Sequence, residues 1–128
     1  MIRRTVLVLE DHPMNRLLLA RVLELEGFEV LEAGCIAIAD RLARAERPSA
    51  VVVDIRLPDG DGLEFVRGLR SDPTTSGCAI LACTAATTLD DEARARAAGC
   101  DAFVRKPIET RTFPALVASL IEPGSAAA

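Results

Sequence analysis

Between Arg4 and Glu122 the chain alternates two kinds of apolar segment. Short β-branched or apolar runs at Thr5–Leu9, Glu29–Glu32, Ala50–Asp54, Ala79–Cys83 and Ala102–Val104 read as strands. The third contains Val51-Val52-Val53 with no polar alternation, the pattern of a strand covered on both faces. Helical spacing fills the intervals. Met14, Leu17, Leu18, Val22 and Leu25 fall on one face of a helix that Gly27 stops. Ile36–Ala45 forms a second helix, and Asp61 followed by Glu64 resembles a capping box opening a third, with Leu63, Val66 and Leu69 inward. Thr88 with Asp91 opens an alanine-rich fourth helix that runs to Ala98 and ends at Gly99. The alanines Ala93, Ala97 and Ala98 bury little area compared with leucine, so that segment is expected to open at low cost. Thr110 to Ile121 is helical, but Pro114 lacks an amide proton and crowds an interior turn, so this helix starts late or is distorted in its first turn.

Five strands separated by helices predict right-handed crossovers and a doubly wound α/β domain, a parallel sheet with helices on both faces. In such sheets the ligand site lies beyond the carboxyl ends of the strands, where the strand order reverses. The domain is expected over residues 1–122, with 123–128 a small-residue, breaker-rich tail.

Composition narrows the function classes. Half of the 128 residues are apolar, which supplies a sizeable core. Nineteen acidic against 15 basic residues give a formal net charge of −4, which argues against direct nucleic-acid binding or an anionic-membrane surface. No apolar run approaches the roughly 20 residues of a membrane span, and the amino-terminal run is too short for a signal-peptide core. A cytoplasmic protein is expected. Cys35, Cys78, Cys83 and Cys100 lack metal-ligand spacing, accompany one histidine, His12, and read as small buried apolar side chains. All basic residues but one are arginine; the exception is Lys106.

The residues that follow the strands carry the chemistry. The first strand ends in Glu10-Asp11, the third in Asp54, the fourth at Cys83 with Thr84 next, and the fifth runs into Arg105-Lys106-Pro107. Three carboxylates, a hydroxyl and the only ammonium thus converge on one edge. Carboxylates in close proximity repel one another, which raises their pKa values or demands a cation. A hard divalent ion, Mg²⁺ above all, suits oxygen ligands and bridges to phosphate oxygens. An ammonium and a hydroxyl opposite the metal then suit the remaining phosphoryl oxygens. No nucleotide-cradling glycine loop and no Ser–His or Cys–His arrangement is present, so the phosphoryl group is expected from a partner.

Glu10-Asp11, Asp54 with its D-x-x-x-P-x-x-x-G continuation through Pro58 to Gly62, Thr84-Ala85 and Lys106-Pro107 resemble the signature of the bacterial response-regulator receiver domain. The resemblance covers about residues 4–122. It implies a flavodoxin-like sheet of order 2-1-3-4-5. Asp54 would be the phosphoacceptor. Asp11, Glu10 (through a water), Asp54 and the Arg56 backbone carbonyl would hold Mg²⁺. Lys106 and Thr84 would contact the phosphoryl group, Phe103 with Thr84 would form the switch, and the peptide before Pro107 would be cis. Arg56 and Ala86 stand where the family tunes dephosphorylation, and Phe103 lacks the hydroxyl of a tyrosine switch. The implied role is a phosphoacceptor in two-component signalling, with no enzymatic activity beyond self-directed phosphoryl transfer and autodephosphorylation. Its partners would be a histidine kinase or phosphotransfer protein and a downstream protein target, met by the face from the fourth helix through the fifth strand to the fifth helix. No output domain follows in the chain, which fits either signalling by protein contact or a part of a larger regulator or hybrid kinase.

Two alternatives belong to other classes. A phosphatase of the haloacid dehalogenase type also uses an aspartyl nucleophile after a strand. It needs a second acid two residues on, where this chain has Arg56, and its nucleophile follows the first strand. A pseudo-receiver would be an interaction module whose site is unused.

Overall fold

The computed structural model describes residues 4–85 and 89–121. Ala86, the expected cap Thr88 and the tail 123–128 lie outside the described residues. Among the described residues, twelve elements follow in the order β1 (Thr5–Leu9), α1 (Pro13–Leu25), β2 (Glu29–Ala33), α2 (Ile36–Glu46), β3 (Ala50–Asp54), β4 (Arg56–Leu57), β5 (Gly60–Asp61), α3 (Gly62–Ser71), β6 (Ala79–Thr84), α4 (Leu89–Ala98), β7 (Ala102–Arg105) and α5 (Phe113–Ile121). The five longer strands form a parallel sheet in the order β2-β1-β3-β6-β7, the expected 2-1-3-4-5 once the two-residue strands β4 and β5 are set apart as a small antiparallel pair.

Two apolar layers cover the sheet, because alternate side chains of a strand point to opposite faces. Leu7, Leu9, Val51, Val53, Ile80 and Ala82 face α2, α3 and α4. Val6, Val8, Ala50, Val52 and Leu81 face α1 and α5, where Leu23, Phe113 and Val117 are buried. Every residue of β3 is buried, as its unbroken valines require. Of the cysteines, Cys83 and Cys100 are buried while Cys35 and Cys78 are half-buried, and all four are free.

One expectation is corrected. Of the five residues expected on the packed face of α1, Val22 is half-buried against the core, but Met14, Leu17, Leu18 and Leu25 face outward: they are 67%, 39%, 50% and 88% exposed. The buried residues of α1 are instead Leu19, Ala20 and Leu23, of which Leu19 and Leu23 pack on the sheet. The run Leu17-Leu18-Leu19-Ala20 points apolar groups in every direction around one turn, so periodicity cannot select the packed side. α5 begins late, at Phe113, with Pro114 in its first turn, where an amide has no intrahelical acceptor to lose. α3 opens at Asp61, whose Oδ1 accepts the Leu63 amide at 2.9 Å. Glu64 does not complete the box; its carboxylate faces Arg67 at 3.5 Å.

Candidate functional site

The sheet's own register assembles the site. Leu9 pairs with Val53, so one further step along the two parallel strands sets Glu10 beside Asp54, a strand spacing apart. On the other side Asp54 pairs with Cys83, and Thr84 with Arg105, which Lys106 follows. The order reverses between β1 and β3, the switch point at which such sheets carry their ligands.

One carboxylate oxygen from each of Glu10, Asp11 and Asp54 lies within 4.8 Å of the others. Glu10 and Asp54 are buried at 1% and 5% exposure, while Asp11 is exposed. Lys106 Nζ donates to Asp54 Oδ2 at 2.9 Å and also to Glu10 Oε1. The remaining oxygens are held by backbone: the Arg56 amide donates to Asp54 Oδ1 at 3.1 Å and the His12 amide to Glu10 Oε2 at 3.0 Å. Burial alone would lower the pKa of Lys106, but hydrogen bonds to Glu10 and Asp54 outweigh it and raise the pKa above the ordinary lysine range. One ammonium against three carboxylates leaves two negative charges uncompensated within this group.

The donor set fits a hard divalent cation. All three nearby side-chain ligands are carboxylates, the cluster carries excess negative charge, and Asp11 faces solvent, from which an ion and its waters can enter. Glu10, Asp11 and Asp54 are therefore the residues that can hold such an ion.

The other expected site residues take these positions. Thr84 is buried at the end of β6, and its carbonyl accepts the Lys106 amide at 2.9 Å. Phe103, half-buried in β7, packs on the core layer shared by α3 and α4. The Lys106–Pro107 peptide is cis. Arg56 is exposed in β4. Gly62 closes the loop over the acceptor: its amide donates to the Ile55 carbonyl at 2.8 Å, and a Cβ there would lie 2.3 Å from the Asp54 carbonyl oxygen. Cys83, next to the site, has its thiol pKa pushed up to about 12 by burial, which removes it as a nucleophile at neutral pH.

Sequence reasoning missed two features. A cavity of about 340 Å³ opens beside Lys106, lined also by Glu10, Asn15, Leu18, Pro107 and Ile108. Arg16 reaches from α1 to the Glu10 carbonyl, its Nη1 2.8 Å from that oxygen. The signal for Arg16 is a charge in the buried register of α1, three, four and seven residues before Leu19, Ala20 and Leu23. It is legible only once the packed face is known.

A doubly wound domain with an acidic pocket at its switch point and a lysine bridging two of the acids has the layout of a signal-receiving phosphoacceptor domain. The sequence matches the response regulator receiver domain family over residues 6–118, and the chain belongs to that family. It is 34% identical over 110 residues to the polar-differentiation response regulator DivK of Brucella anthropi, covering 86% of this chain and 89% of that one. A CheY-like response regulator receiver domain protein from Methanospirillum hungatei has the same fold, with a TM-score of 0.90 at 21% identity over 99% of this chain and 100% of that one. A Burkholderia pseudomallei response regulator, solved with a phosphorylated aspartic acid, a calcium ion and citrate, superposes with a TM-score of 0.83 at 26% identity over 97% of this chain and 72% of that one. The dehalogenase-type phosphatase is not favoured by these likenesses. Receiver domains act in two-component signalling with kinases and downstream targets, and are signalling domains rather than conventional enzymes. No helix among the described residues is long and apolar enough to cross a membrane.

Proposed function

We propose that Asp54 is the residue that takes the phosphoryl group, from a phosphohistidine of a histidine kinase or phosphotransfer protein in the cytoplasm. The observation that carries this reading is the Lys106 ammonium 2.9 Å from Asp54 Oδ2, within the cluster of Glu10, Asp11 and Asp54. A carboxylate oxygen of Asp54 attacks phosphorus, the O–P bond forms, the P–N bond of the donor breaks, and the ring nitrogen leaves with the electron pair and takes up a proton from water to give neutral imidazole. Lys106 neutralises charge on the phosphoryl oxygens, and Thr84 turns its hydroxyl to one of them. Asp11, Asp54 and the Arg56 carbonyl, with Glu10 through a water, would hold Mg²⁺, which when bound would supply positive charge to the phosphoryl oxygens. The Burkholderia protein, solved with a phosphorylated aspartic acid and a calcium ion, supports an aspartyl phosphate and a divalent ion in a protein of this fold. The cavity beside Lys106 gives a donor side chain an approach from the α1 side.

Phosphorylation adds nearly two negative charges next to Lys106. Thr84 and Phe103 then respond together, and the face formed by α4, β7 and α5 changes toward a protein target. The test is incubation with acetyl phosphate and Mg²⁺ followed by intact mass. A gain of one phosphoryl group that Asp54→Asn abolishes is the expected result. A gain that survives in Asp54→Asn moves the acceptor elsewhere, and no gain in the wild type makes the chain a pseudo-receiver.

A further inference from the structure

We propose that Arg16 is a positioning residue for the metal site, and that Gly34 is a glycine because the Arg16 guanidinium lies against it. This deepens the function proposed above and rests on that reading of the acidic cluster.

The Glu10 carbonyl belongs to the peptide that joins Glu10 to Asp11, so its direction sets the plane from which both acids project. Arg16 Nη1 donates to that oxygen at 2.8 Å. The Glu10 amide on the preceding peptide bonds the Ala33 carbonyl at 3.0 Å, extending the β1–β2 ladder by one rung. Arg16 Nε stands 3.6 Å from Glu32 Oε1 at the end of β2. One guanidinium therefore ties the end of β1 to the end of β2, just where the chain leaves the sheet and offers its acids. The Arg16 side chain is only 23% exposed, so this charge sits largely inside the fold.

Gly34 supplies the remaining wall. A Cβ there would lie 2.9 Å from Arg16 Nη1 and 3.6 Å from Cζ, so a larger residue displaces the end of the Arg16 side chain that makes this bond. The carboxylate of Glu10 is held separately, by His12 and Lys106. Asp11, exposed, takes its direction from the backbone that Arg16 fixes. Loss of the contact should therefore show first in the ion that Asp11 helps to hold. Hydrogen-bond partners behind a metal's direct ligands commonly matter about tenfold or more in affinity.

The experiment titrates the full chain with Mg²⁺ by calorimetry, with urea unfolding measured alongside. Arg16→Gln and Gly34→Ala are each expected to weaken Mg²⁺ binding by about tenfold. Arg16→Lys keeps the charge but not the fork, and should fall between Gln and wild type. The double variant separates mechanisms: Gly34→Ala should cost no further affinity once Arg16 is gone, since both act through one contact. If Arg16→Gln binds Mg²⁺ like the wild type and loses only stability, Arg16 is a structural clamp and this inference is overturned, with the phosphoacceptor reading intact. Additive losses overturn the role of Gly34. Absence of Mg²⁺ binding by the wild type overturns both this inference and the metal site beneath it.

Discussion

Gly62 carries no functional group, yet the acceptor site leaves room for no other residue. A side chain there would press on the Asp54 carbonyl oxygen, on Val53 Cγ1 at 2.9 Å and on the Ile55 Cα at 3.1 Å. Two of these three are backbone atoms of the strand end that aims the acceptor, and they cannot turn aside as a side chain would. Gly62→Ala is thus expected to cost about 3 kcal/mol of stability and to slow labelling of Asp54, read from the urea midpoint and from the rate of mass gain. An unchanged midpoint would mean the loop has slack that the distances do not suggest. The same scale explains how the site residues were legible. Glu10, Asp11, Asp54, Thr84 and Lys106 each lie at or just past the end of a strand that local pattern already marks. Gly34 and Arg16 were not, because their meaning lies in one contact between α1 and the end of β2.

At the scale of elements, two aspartates of the β4–β5 hairpin organise the helices around the acceptor. Asp59, in the turn, accepts the amides of Ile36 at 3.0 Å and Ala37 at 3.3 Å, capping α2 from outside its own segment. Cys35, the residue in the cap position, makes no side-chain cap bond. Asp61 caps α3 and holds Arg94 of α4 at 3.2 Å. α4 depends on such ties more than its neighbours do, since its buried residues are only Asp91, Ala95 and Ala98. The Ile36 amide foremost, against the opposing effect of desolvation and with the Ala37 amide beside it, holds the Asp59 carboxyl below its usual range. A carboxyl whose folded value is depressed lends stability that is complete above its unfolded value and is lost as pH falls through the folded one. Wild-type stability should therefore fall more steeply than that of Asp59→Asn between about pH 5 and pH 3, measured as urea midpoints across that range. Parallel curves would show that the turn and α2 are not coupled through this carboxylate. The Asp59 cap was hidden from sequence because donor and acceptor lie 23 positions apart, whereas the Asp61 cap, two positions from its donor, was read correctly.

For the whole molecule, the acidic cluster is a local excess of charge held in a stable frame. A ligand that binds the folded chain alone stabilises it by mass action. Mg²⁺ at a hundred times its dissociation constant should raise the unfolding free energy by about 2.7 kcal/mol over the same protein in EDTA. Asp11→Ala, which removes the exposed acid without opening a cavity, should lose most of that increment while unfolding normally without metal. An equal increment in both would place the ion away from this cluster.

The sequence by itself determined the alternation of strands and helices, the doubly wound class and the identity of the groups at the strand ends. All of these are written in neighbouring residues, in periods of two and near four and in short motifs. Tertiary structure alone decided which side of α1 meets the sheet, why Arg16 lies over the Glu10 carbonyl, and which turn caps α2. The physical reason is that α1 is apolar on more than one side, so local pattern leaves two packings open. The choice belongs to the sheet, whose valines and leucines close over Leu19 and Leu23 and leave Met14, Leu17, Leu18 and Leu25 to the solvent.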